Sequence, residues 1–332
     1  MKMRYVPFDE LDSSPNIIVD GAPGTGTVLT LSHWPKSGTP TALKRDMSAE
    51  IVFAYLDLPS FHVQAEIASN NHFDEDGLIG IYALLDPAIA EKHRELLIDA
   101  SRAGDFGVYK RRDAARIAFV ISAYADPDLS PLPPEIFAMP HPKMAGELYR
   151  QLLEVMPKLL TNLSEYKNVW EAEDEKLSAS EELVEKGIIT IEENPSLDLA
   201  VVHMPQNLPL EHVHRFAQSR QAQCHPFALN SRTDCSRLLI LQGQHVEFQY
   251  RYESWVQLVS RRPLLRVDLK DLAGELNREE TSQGHWVFDG VDRITPRLHL
   301  EGGPTTSLSA DFILKRLEHH LATDPSAWNP YD

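Results

Sequence analysis

A chain of 332 residues, 42% hydrophobic and 24% charged, is long enough for two compact units with real cores and is not composed like a disordered protein. Its formal charge of −17 excludes a long duplex nucleic acid as partner, because binding a phosphate backbone needs a basic face. No apolar run reaches the roughly 18 residues of a membrane span, so no membrane partner is expected.

The charge is unevenly spread. Residues 151–200 carry 12 acidic and 4 basic side chains, and of the 14 basic residues after position 200, 12 are arginine, the side chain that grips phosphate or carboxylate with two prongs. The opening residues 1–10 have no apolar signal core. The only cysteines, Cys224 and Cys235, lie outside any metal-finger spacing, and the expectation is two free thiols in a reduced, cytoplasmic setting.

In chain order, 16–19 reads as a short strand ending at Asp20-Gly21, and the turn Ala22-Pro23-Gly24-Thr25-Gly26 leads into a second strand at 27–33. A helix over 48–56 follows, with Ser48 as its cap, and 63–68 reads as a strand. Helices at about 78–85, 88–103 and 112–125 complete a layered α/β domain with a mainly parallel sheet, taken as residues 1–140. The proline-rich stretch 126–142 reads as a linker or irregular wrap. An acidic helical connector, 141–187, holds helices at 146–160 and 168–186, with Gly187 placed to end the second. From 188 to 332 the pattern is a β-rich α+β domain, with strands at 188–192, 199–203, 237–241 and 246–259 and helices at about 268–280 and 309–321. Gln242-Gly243-Gln244 reads as a hairpin turn.

The clearest chemical signal is Asn70-Asn71-His72-Phe73-Asp74-Glu75-Asp76-Gly77, followed by an apolar helical run. A strand end, a polar loop with a histidine and two alternating carboxylates, and a helix start suit a hard divalent cation. In an extended segment Asp74 and Asp76 point to the same side, which suits a shared ion, and a loop at a strand end contributes little core. A polar turn with an acidic helix start is the plainer alternative. It accounts for one Asp well, but less well for the histidine, the second acid and a glycine where the backbone turns.

Ser32-His33-Trp34-Pro35 and Asp20-Gly21 sit at the other strand ends, where open α/β sheets place ligand residues, although each also reads as an ordinary turn. His33 joins His72 as a candidate catalytic residue. Asp20 joins Asp74 and Asp76 as a candidate metal ligand, and Asp105, near a helix end, is a further one. His212 and His214, near His203 and His225, lack a third zinc ligand of defined spacing and read as surface or structural histidines. In Tyr250-Arg251-Tyr252-Glu253-Ser254-Trp255 alternate faces of a strand would offer rings and charge, and Arg251, Arg261 and Arg262 are the candidate substrate-binding residues. An amphipathic edge strand with solvated arginines has the same pattern. There is no Gly-x-Ser-x-Gly elbow, phosphate loop or dinucleotide fingerprint.

The loop from Asn70 to Gly77 with the apolar run that follows it, about 16 residues, resembles the opening motif of the DHH phosphoesterase superfamily, in which a strand enters a His/Asp-x-Asp-Gly loop and then a helix. The resemblance implies that Asp74 and Asp76 ligate Mn²⁺ or Mg²⁺, with His72 a ligand or close neighbour, and that phosphoesters or phosphodiesters are hydrolysed. The Asp-His-His triplet that names the superfamily is missing, and the adjacent pair His319-His320 falls in a terminal helix. Over most of its length the chain is also similar to an uncharacterised bacterial protein family, through Leu29-Thr30-Leu31-Ser32-His33-Trp34-Pro35, the loop from Asn70 to Gly77, Tyr250-Arg251-Tyr252-Glu253-Ser254-Trp255-Val256 and Trp286-Val287-Phe288-Asp289-Gly290-Val291. That likeness implies no activity. Two functions are therefore expected in competition. One is a metal-dependent phosphohydrolase acting on a small phosphorylated or nucleotide substrate. The other is a non-catalytic binding or assembly protein that keeps a degenerate DHH-phosphoesterase-like fold.

Overall fold

The computed structural model describes residues 3–215, 218–303 and 305–332. The first strands and helices are β1 (Arg4–Tyr5), β2 (Asn16–Val19), β3 (Thr27–Leu31), α1 (Ser48–Asp57), β4 (Ile67–Ser69), α2 (Glu75–Leu85) and α3 (Pro87–Lys92). Four helices follow: α4 (Arg94–Phe106), α5 (Arg112–Ala125), α6 (His141–Thr161) and α7 (Lys167–Glu185). After them come β5 (Thr190–Asn194), β6 (Leu199–His203), β7 (Glu211–Arg215), β8 (Gln218–Ala222), α8 (Pro226–Asn230), β9 (Arg237–Gln242) and β10 (His245–Tyr250). The chain closes with β11 (Arg266–Val267), α9 (Lys270–Glu279), β12 (His285–Phe288), β13 (Arg297–Glu301), α10 (Ala310–Thr323) and β14 (Ser326–Trp328).

The class is α/β, with a parallel sheet in one unit and a separate, mixed β-rich sheet in the other. The first unit comprises Met1–Ser178, Glu211–Phe227 and Leu258–Ser260; the second comprises Ala179–Leu210, Ala228–Gln257 and Arg261–Asp332. The division falls inside α7, so the helical segment expected as a connector, 141–187, is shared between the units. In the first unit α6 buries Leu148, Leu152, Met156 and Leu159 at helical spacing, and Arg112 and Arg116 of α5 both pair with Asp174 of α7. These contacts place most of the acidic segment in the first unit.

The first unit's sheet has the order β1-β4-β2-β3, and every pairing is parallel. Residues 16–19 are buried on both faces, as a covered parallel strand requires. Helix α2 is buried along almost its whole length, and Gly80 makes its close packing possible: a Cβ there would lie 2.6 Å from Val19 Cγ1 of β2. This approach sets the depth of the helix whose N-terminus carries the acidic loop.

In the second unit the sheet order is β12-β13-β10-β9-β6-β5, antiparallel except for β6 beside β9. Leu239 and Leu241 of β9 with Val246, Phe248 and Tyr250 of β10 form one core with Leu272 and Leu276 of α9 and Ile313, Leu317 and Leu321 of α10. Residues two apart on the strands and three or four apart on the helices meet there. The fully buried Arg266 bonds the carbonyls of Val291, Arg293 and Ile294, and burial pushes its guanidinium down to about 9. Cys224 and Cys235 are buried and form no disulfide. Among the described residues no helix is long and apolar enough to cross a membrane.

Two outcomes follow from this packing. Gly80→Val inserts volume between α2 and β2 and is expected to destabilise the protein by about 1–3 kcal/mol, read by urea unfolding. Glu280 accepts hydrogen bonds from Trp286 Nε1 (3.1 Å), Ser307 Oγ (2.5 Å), Thr306 Oγ1 and the amides of Thr281, Ser282 and Ser307. Burial alone would raise its carboxyl, but the bonds from Ser307 and Thr306 outweigh that and hold it well below its ordinary 4.5. Its stabilisation is therefore complete above about pH 4.5 and is lost as pH falls toward the depressed folded-state value. Glu280→Gln should lower the neutral-pH melting temperature of the second unit and flatten its acid sensitivity; an unchanged acid limb would contradict this.

Candidate metal centre

Three adjacent parallel strands deliver the polar residues. β2 stops at Val19 and Asp20 follows with φ +49°, in the left-handed region that Asp tolerates better than most side chains. β3 stops at Leu31, two residues before His33, and β4 stops at Ser69, before the loop that carries His72. The carboxyl ends of parallel strands thus open onto one place, the usual ligand position in such sheets. Asp105 arrives from the last turn of α4, inside the helix rather than beyond its end.

The donors form two sets, Asp20/His72/Asp74 and Asp20/His33/Asp76, each with its ligand atoms within 4.8 Å of one another. Asp20 is common to both. Its Oδ2 lies 3.4 Å from His72 Nε2 and its Oδ1 lies 3.4 Å from His33 Nε2. His72 Nε2 is also 2.8 Å from Asp74 Oδ2, and His33 Nε2 is 3.5 Å from Asp105 Oδ2. His33 Nδ1 lies 2.6 Å from the carbonyl of Asp46, which can only accept; Nδ1 therefore carries the proton and Nε2 faces the carboxylates.

The acidic loop differs from its expected form. Asp74 is the N-cap of α2, its Oδ1 accepting from Gly77 N at 2.9 Å, whereas Asp76 already lies in the first helical turn. The two carboxylates therefore diverge, one into each set. Asp76 accepts from Ser48 N (2.7 Å) and Ala49 N (2.9 Å), so it closes the N-terminus of α1 across 28 residues of sequence. Ser48, expected as that cap, is instead the first residue of α1 and donates its hydroxyl to Asp20 Oδ1 at 2.7 Å. Gly77 makes no turn: it is helical, and a Cβ there would collide with Asn70 Nδ2 and lie 2.5 Å from Tyr149 Oη. Removing both carboxylates thus costs more than loop structure, because Asp76 holds a helix end.

Burial governs the electrostatics. Asp20 and Asp76 are 0% exposed and Asp105 is 1% exposed, with Glu75 buried beside them and bonded by Ser122 Oγ at 2.5 Å. Desolvation, then the charges of Asp20 and Asp74, push Asp76 well up; desolvation and the charge of Asp76 do the same to Asp105. For Asp20 the hydrogen bond from His72 and the charges of both histidines outweigh desolvation and hold it down to about 2. Desolvation of His72 is outweighed by Asp74 and Asp20, which lift the imidazole to about 10. A pocket of mutually repelling, desolvated carboxylates with two inward imidazoles is what a divalent cation neutralises.

A model of a family of unknown function, DUF6687, matches residues 1–332. The chain belongs to DUF6687. No curated protein and no solved structure matches it.

The remaining candidates have local roles of their own. In the second unit β10 ends at Tyr250, is paired on both sides, and is followed by a 3-10 turn at Tyr252–Ser254, so the expected edge strand with alternating rings and charges does not exist. Arg251 is 2% exposed, bonds the carbonyls of Thr233 (2.8 Å) and Cys235 (3.1 Å), and pairs with Glu253; it is a brace inside that unit. Arg261 is half-buried, 3.9 Å from Glu253, and Arg262 is exposed over the ring of Tyr331. His225 is buried, its Nε2 3.1 Å from Glu173 Oε1 and its Nδ1 accepting from Phe227 N, a structural arrangement. The side chain of His214 lies outside the described residues. Sequence reasoning overlooked Asp46, Ser122 and Tyr149, which stand 13, 47 and 72 or more residues from the side chains or glycine they serve.

Asp76→Ala leaves two buried amides without an acceptor and should destabilise the metal-free protein by about 1–3 kcal/mol. Asp74→Asn keeps an oxygen for Gly77 N and should cost less. Urea titrations in the presence of a chelator decide, and equal losses would show that Asp76 does not hold α1.

Proposed function

We propose that this chain is a metal-dependent phosphohydrolase acting on a small phosphorylated or nucleotide substrate. The observation that carries the reading is the position of Asp20 between two sets of three donors, each containing one imidazole and two carboxylates. Such a set fits Mn²⁺ in preference to Mg²⁺, since imidazole nitrogen suits the former and an all-oxygen, largely hydrated shell the latter. Asp20, His72 and Asp74 would hold one ion, and Asp20, His33 and Asp76 a second, with Asp105 beside His33. Bound there, the ions supply an activated water and neutralise charge on phosphoryl oxygens. The protein's own part is to orient His33 through Asp46, to keep Asp20 between the sets through Ser48, and to exclude bulk water from all but one side.

The strand, loop and helix from Ile67 to Leu85 support the likeness to DHH phosphoesterases, and the missing triplet weighs against it. His320 of the late adjacent pair is occupied in its own unit by Asp324, at 2.6 Å. Arg251 is left out of the proposal; Arg261 and Arg262 stay as candidates for anion recognition. The competing reading, a non-catalytic binding protein, draws support from Asp76, whose two oxygens already close a helix.

Hydrolysis of chromogenic phosphate mono- and diesters separates the readings. Activity that requires Mn²⁺ and falls at least a hundredfold in Asp74→Asn supports a hydrolase. Wild-type protein that takes up Mn²⁺ yet hydrolyses none of the esters favours the binding protein, and absence of Mn²⁺ uptake ends the metal reading.

A further inference from the structure

We infer that the two cation positions are not equivalent: Asp20/His33/Asp76 is a closed position for a resident ion, and Asp20/His72/Asp74 is an open position for an exchangeable ion that meets the substrate's phosphoryl group. The inference rests on the metal reading above and assigns different tasks within it.

Access separates the positions first. The side chains of His33 and Asp20 are 0% exposed and that of the adjoining Asp105 is 1% exposed, whereas those of His72 and Asp74 are 25% and 11% exposed. An ion at the first position leaves only after protein atoms move. One at the second has a face toward water and toward any incoming anion.

Preorganisation separates them again. Every donor of the closed position is held from outside the set by a fixed group. The Asp46 carbonyl orients His33, the amides of Ser48 and Ala49 fix both oxygens of Asp76, and the Ser48 hydroxyl fixes Asp20 Oδ1. Rigid donors pay their ordering cost on folding, so binding an ion there loses little further freedom. At the open position Asp20 is shared and Gly77 N holds Asp74 Oδ1, but the inward atoms His72 Nε2 and Asp74 Oδ2 hold each other. His72 Nε2 bonds Asp74 Oδ2, and its Nδ1 meets the side chain of the neighbouring Asn71 at 3.1 Å. Trp34 stacks on His72 with ring centroids 5.0 Å apart. An arriving ion must break the His72–Asp74 bond, which weakens its hold and speeds its exchange.

The test is a chelator chase on the full chain loaded with Mn²⁺, with manganese counted by elemental analysis. Two ions per chain should load; one should leave at least tenfold faster than the other. Inorganic phosphate should slow release of the fast ion and leave the slow one unaffected. Asp74→Asn should load one ion, released at the slow rate, and His33→Asn should lose the slow phase. Should His33→Asn fail to fold, the wild-type chase and Asp74→Asn suffice. A single release rate, a single ion per wild-type chain, phosphate acting on the slow phase, or loss of the slow ion in Asp74→Asn overturns the assignment while leaving a metal protein. No uptake by the wild type overturns the metal reading as well.

Discussion

Desolvated negative charge at the carboxyl ends of β2, β3 and β4 is the constraint around which the first unit is built. Asp20, Asp74, Glu75, Asp76 and Asp105 are all buried, and an isolated carboxylate in a dry interior would lose several kcal/mol of hydration. Two helix N-termini are aimed at the cluster in response. The first amides of α1 bond Asp76, and Gly77 N in α2 bonds Asp74. Bonds of this kind satisfy amides that a helix leaves open and put carboxylate at the positive end of its dipole. His33 and His72 approach from the loops beyond β3 and β4, and desolvation with the neighbouring carboxylates still pushes Asp76 and Asp105 up.

Bringing helix ends this close to the strands needs missing side chains. Gly80 lets α2 settle on Val19, and Gly77 lets Asn70 and Tyr149 close over the first turn of the same helix. Glycine within a helix costs about 1 kcal/mol in propensity at each position. The compensation is that Asp74 and Asp76, two residues apart, are held on opposite sides of Asp20. A longer approach distance would leave both carboxylates in the same solvated loop.

The second unit handles charge in another way. Its buried arginines, Arg237, Arg251 and Arg266, spend donors on carbonyls of irregular segments, and the ring of Tyr250 lies beside the guanidinium groups of Arg237 and Arg266. Planar, multiply donating guanidinium groups suit this work better than lysine, which accounts for three of the twelve arginines after position 200. Those three are structural, whereas Arg261 is half-buried and Arg262 is exposed.

What the sequence determined by itself is short-range. Strand ends followed by Asp20-Gly21, by His33 and by the His72-to-Gly77 loop are legible because alternation, turns and caps act over a few residues, and Asp20, His33, His72, Asp74 and Asp76 do converge. The span of β6 at Leu199–His203 and the start of α5 at Arg112 are legible for the same reason. Tertiary structure alone decided how the donors are grouped. Asp76 joins His33 rather than its neighbour Asp74, because one extra helical residue rotates it toward α1, whose amides lie 28 positions earlier. Tertiary structure also decided that Arg251 is a brace, since β10 gains partners on both sides and its chain then turns at Tyr252. It returned residues 211–227 and 258–260 to the first unit as well. Such outcomes depend on side-chain volume and unmet hydrogen bonds between distant segments, and no local pattern encodes them.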